Sequence, residues 1–66
     1  MNAEERAYLR ETFIVDLKQR LEYKRGSHLR VVVNPSADKS EREYSMGAAT
    51  AYSVAVNYLE GLLEGA

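Results

Sequence analysis

A chain of 66 residues with a formal net charge of −1, no Cys and one His excludes several classes at once. At this length only about 60% of the unfolded surface is buried on folding, so one small domain is expected, and it needs a staple. Disulfides are excluded by the missing Cys, and a structural zinc site by a lone His without thiolate partners.

The staple that remains is oligomerisation or docking onto a larger partner. The near-neutral charge argues against a general nucleic-acid binder. No segment carries 18 consecutive apolar residues, so no membrane span is expected, and the acidic start lacks the apolar stretch of a secretory leader. The absence of Cys fits a cytoplasmic protein, or a particle assembled there.

Residues 3–25 read as the first helix. Leu9, Phe13, Leu17 and Leu21 recur every four residues, flanked by Ala7 and Ile14, and fill an arc of roughly 160°. Glu4 and Glu5 near the start and Lys24 and Arg25 near the end suit the helix dipole. Gly26 is placed to stop the helix as its first residue beyond the cap.

Residues 28–34, "HLRVVVN", read as an extended or β segment, because three consecutive valines favour an extended chain. Pro35 ends any ladder, and residues 35–39 are a loop. The second helix is expected over residues 40–63. Ser40 and Glu43 fit a capping box, and the helix fades toward Gly61 and Gly65.

The second helix is rich in small residues. Gly47, Ala51 and Ala55 are spaced by four, with Ala48 beside them and Tyr44, Tyr58 and Leu62 near. Such a ridge lets another helix backbone come close. The plainer reading is that alanine is a good helix former. Leu59, Tyr52, Leu63, Val56 and Ala49 widen the apolar arc to roughly 200°, more than one partner helix covers. The first helix accounts for part of it, and a second copy of the chain for the rest. Val31 and Val33, on a strand without a partner, would pair across a two-fold axis or add to the edge of another protein's sheet. The expected interface is therefore Tyr44, Gly47, Ala48, Ala51, Tyr52, Ala55, Val56, Tyr58 and Leu59 with Val31 and Val33. Tyr8 and Val15 lie opposite the core stripe of the first helix, as ordinary exposed residues or as a second contact patch.

No catalytic constellation is present. The "RGSH" stretch lacks the pattern of a phosphate loop, His28 beside Ser27 reads as a loop residue, and the carboxylates scatter over a solvated face. The expectation is a protein that is not an enzyme and needs no cofactor or metal. Lys18, Arg20, Lys24, Arg25, Arg30, Lys39 and Arg42 gather toward one end of an antiparallel hairpin, with Glu4, Glu5, Glu60 and Glu64 at the other. Arg30, Lys39 and Arg42, beside the free N–H groups of the second helix, form a candidate anion site. The alternative is that these charges only keep the protein soluble, and Asp38, Glu41 and Glu43 blunt their field. The tyrosines suit interface packing better than base stacking.

In size, lack of Cys and element order the chain loosely resembles small accessory proteins of bacteriophages. These include head–tail joining proteins and helical-hairpin inhibitors of host defences. The second strand of the joining-protein layout has no counterpart, and no residue role carries over. The expected fold is mainly α: an antiparallel helical hairpin with a short extended segment, completed by homo-oligomerisation. The expected function is non-enzymatic: an oligomeric protein that docks on or inhibits a larger protein. The alternatives are a binder or sponge for a phosphorylated nucleotide, and a structural component of a virion or large assembly.

Overall fold

The computed structural model describes residues 2–65. Two helices make up nearly all of it: α1, Ala3–Val33, and α2, Lys39–Glu64. They pack against each other as an antiparallel hairpin.

The start of α1 is capped by Asn2, whose side-chain oxygen accepts from the Glu5 N–H at 2.8 Å. Glu4 and Glu5 lie in the first turn, where negative charge suits the dipole. The helix does not stop at Gly26. It runs on through His28–Val33, so the expected extended segment is helical instead. The reason is cooperativity. Valine costs a few tenths of a kcal/mol in a helix, but each added residue keeps a backbone hydrogen bond. A lone strand would have left those groups unpaired.

What ends α1 is Pro35, which disfavours helical dihedrals at Asn34. Asn34 is extended, with φ −77° and ψ 118°, and its N–H closes a tighter last turn on the Val31 carbonyl. Its side chain then accepts from the Ser36 N–H at 2.9 Å, turning the chain. The cap of α2 is Asp38 rather than Ser40. Its carboxylate accepts from the Glu41 N–H at 2.8 Å. Asp and Ser are comparable N-caps, and Asp38 lies one residue ahead of Lys39, where the helix begins.

The seam between the helices follows a 3–4 spacing on both. Ile14, Lys18, Leu21, Arg25, His28 and Val32 of α1 are half-buried. On α2, Arg42, Ser45, Ala49, Tyr52, Val56, Leu59 and Leu63 are buried or half-buried. A 3.5-residue repeat keeps one stripe facing a partner along a whole helix. The expected core stripe of α1 does not meet that condition. Residues spaced by four advance about 40° per step around a helix, so Leu9, Phe13, Leu17 and Leu21 wind away from any straight partner. Leu17 and Leu21 reach the seam, whereas Leu9 and Phe13 remain 50% and 65% exposed.

Only Ser45, Ala49 and Val56 are fully buried among the described residues, all on α2. Two of these side chains are small, which draws α1 close to the α2 backbone.

Candidate functional site

In an antiparallel pair, residues rotated in the same sense from the two seams share one flank of the hairpin. The two flanks differ in chemistry. One carries Glu11, Lys18 and Glu22 of α1 beside Ser53, Asn57, Glu60 and Glu64 of α2, with Leu29 and Met46 as apolar exceptions near the turn and Val15 and Tyr8 farther along α1. Lys18 bridges the seam here, 3.3 Å from Glu60 and 3.7 Å from Glu22.

The other flank is apolar on α2 and mixed on α1. It carries Leu9, Phe13 and Leu17 of α1 with Tyr44, Ala48, Ala51, Ala55, Leu59 and Leu62 of α2. Arg6, Arg10, Arg20 and Lys24 interrupt it on α1, and Arg20 pairs with Asp16 at 2.8 Å. On α2 no charge interrupts it from Tyr44 to Leu62, where Tyr44 is 73%, Val54 65% and Tyr58 70% exposed.

The residues expected at an interface therefore divide. Val56 is buried against α1, and Tyr52 and Leu59 are half-buried in the same seam. Val31, Ala48 and Ala55 lie at its edge. Val33, Tyr44, Gly47, Ala51 and Tyr58 remain open. A Cβ added at Gly47 would meet nothing within 4 Å. Val31 and Val33 lie on a helix, so they have no strand edge to offer. Tyr8 is 69% and Val15 41% exposed.

Sequence reasoning placed His28 in a loop and missed its surroundings. It sits inside α1 and meets α2 near the turn. Its ring stacks on Tyr52 with centroids 5.8 Å apart, and Tyr44 approaches edge-on at 5.9 Å. Its Nδ1 lies 3.4 Å from the Ser45 hydroxyl. Heptad spacing from Leu21 to His28 was the available signal. Ser45 is 4% exposed, so no substrate reaches its oxygen. The chemistry open to this cluster is polar and aromatic packing between the helices.

The three basic residues of the candidate anion site are not brought together as free donors. Arg42 turns inward and donates through Nη2 to the Asn34 carbonyl at 2.9 Å, closing the end of α1. Its Nε is buried without a partner. Lys39 is 3.8 Å from Glu43. Arg30 is exposed on the α1 face opposite α2.

Shallow clefts flank the hairpin. One, of about 320 Å³, opens at its free end between Arg10, Glu11 and Ile14 on α1 and Gly61 and Leu62 on α2. Among the described residues no cluster of His, Asp and Glu has the geometry of a metal site, and no helix is long and apolar enough to cross a membrane. Compared with protein-family models, curated proteins and solved structures, the chain matches none.

Proposed function

We propose that this protein is a small non-enzymatic interaction protein that works as a homo-oligomer and docks on a larger protein. The observation that carries the reading is the one-sided hairpin. On one flank the α2 side chains are polar and bridged to Lys18, while on the other α2 is apolar and open from Tyr44 to Leu62. Monomeric proteins rarely expose contiguous apolar patches beyond a few hundred Å². The hairpin presents its apolar side chains on regular helical elements, as recognition surfaces of the helix-in-groove kind require.

A phosphate-binding role for Arg30, Lys39 and Arg42 has no such support, because Arg42 donates to the Asn34 carbonyl and Arg30 lies on the α1 face opposite α2. Native mass spectrometry tests the reading. The purified protein is expected at a discrete multiple of its 7.5 kDa mass, and Ala51→Glu is expected at the single-chain mass with its helix content kept. A single-chain mass for the unaltered protein at micromolar concentration overturns the proposal.

A further inference from the structure

The outward side of α2 is open to solvent and has a nearly symmetric pattern of side-chain size about Ala51. Read outward from Ala51, α2 places Ala48 and Val54 at three residues, Gly47 and Ala55 at four, and Tyr44 and Tyr58 at seven. The outermost pair brackets the small residues symmetrically. All seven lie within about 120° of one another around the helix, and none is charged. Gly47 is matched by Ala55 and Ala48 by Val54, and only the tyrosines are identical, but a patch with a small centre and a bulky residue at either end is suited to meet its own copy about a two-fold axis, because such an interface uses one patch twice.

The amount of open surface points to the same occupant. A compact monomer of 7.5 kDa exposes about 4,200 Å². This chain exposes 5127 Å². The surplus of roughly 900 Å² is close to the share of about 800 Å² that each partner gives to a standard-size interface. Tyr44 and Tyr58, at 73% and 70% exposure, alone supply on the order of 300 Å² of it.

We infer that α2 crosses the α2 of a second copy antiparallel at Ala51, with each Tyr44 beside the partner's Tyr58. The small residues form the point of closest approach, and the i±4 ridge of Gly47, Ala51 and Ala55 packing on its own copy gives a crossing near −50°. Antiparallel pairing also sets the two helix dipoles in opposition. The polar flank held by Lys18 and Glu60 faces away, and the α1 patch around Leu9 and Phe13 stays free for a further partner. The inference rests on the homo-oligomeric reading above and specifies its geometry.

The test is disulfide trapping in the full chain, which has no Cys of its own. Ala51→Cys puts two thiols at the axis, and under mild oxidation it is expected to trap a covalent dimer at least about tenfold faster than Asn57→Cys on the polar flank. Tyr58→Cys is expected not to trap with itself, since antiparallel helices hold the two positions 58 about 21 Å apart. At a crossing of about 50° position 58 and the partner's position 44 lie about 9 Å apart, beyond disulfide reach, so Tyr58→Cys mixed with Tyr44→Cys is expected to be joined by a bifunctional maleimide of about 10 Å span. In the isolated hairpin a Cβ at 47 meets nothing within 4 Å and the position faces solvent, so Gly47→Leu is expected to keep its helix content while weakening dimerisation about a hundredfold, each dimer carrying two crowded sites. A dimer mass with Ala51→Cys trapping no faster than Asn57→Cys overturns this geometry and leaves the oligomeric reading standing. Self-trapping of Tyr58→Cys replaces it with a parallel crossing. A monomer mass throughout overturns both.

Discussion

Val56 is the largest side chain that the hairpin buries completely. It sits mid-seam on α2, where α1 passes on one side and the apolar flank begins on the other. Removing two methyl groups there costs their transfer energy plus a cavity. Val56→Ala is therefore expected to lose about 2 kcal/mol, seen as a lower urea midpoint at unchanged slope. Helix starts can be tested the same way. Asp38 caps α2 through a 2.8 Å bond to the Glu41 N–H, so Asp38→Ala should cost about 1 kcal/mol. Ser40→Ala, one residue inside the helix, should change the midpoint by less than about 0.5 kcal/mol. A larger effect at Ser40 than at Asp38 would move the cap back to the capping-box position that the sequence suggests.

At the scale of elements, the continuation of α1 through Gly26 is the main departure from expectation. Gly26 has no positive φ, and a Cβ there meets nothing within 4 Å. It is thus a glycine inside a helix, where Ala is favoured by about 0.8–1.0 kcal/mol. Gly26→Ala is expected to raise the thermal midpoint. A fall would mean that the chain turns at Gly26, as a helix-ending glycine predicts. The valines of the last turn were legible as β-formers, but propensity is a local preference of tenths of a kcal/mol. The helix preceding them, Pro35 following them and the lack of a partner strand together outweigh it.

As a whole the molecule is long and thin, 52 × 16 × 12 Å between Cα extremes with a radius of gyration of 15.7 Å. A globular chain of this length would have about 11 Å. Such a shape leaves little interior, and the second chain proposed above would supply one. If the chain folds as a dimer, its stability depends on its own concentration. Raising the protein concentration a hundredfold adds about 2.7 kcal/mol by mass action and lifts the melting temperature by about 10 °C or more. Ala51→Glu is expected to melt at one temperature whatever the concentration. A melting temperature of the unaltered protein that ignores dilution would mean that the hairpin is stable alone.

Two helices, a turn at Pro35 and a wide apolar arc on α2 were legible in the sequence, although it ended the first helix at Gly26 and not at Val33. Each depends on local chemistry: capping groups, the proline ring, and the angular spread of side chains on one helix. Which stripe of α1 faces α2 was not legible. It depends on the relative rotation and register of two helices, and a 3.5-residue repeat along their overlap satisfies that pairing. This condition took Ile14, His28 and Val32 into the seam and left Phe13 in solvent, while Leu9 lies past the end of α2 in the register set by Lys18 and Glu60. It also set His28 on Tyr52 and Ser45 and turned Arg42 to the Asn34 carbonyl, contacts between residues distant in the chain that no local pattern encodes. The tertiary structure thus decided which of the apolar residues remain exposed, because only packing separates the side chains a hairpin uses on itself from those it leaves open.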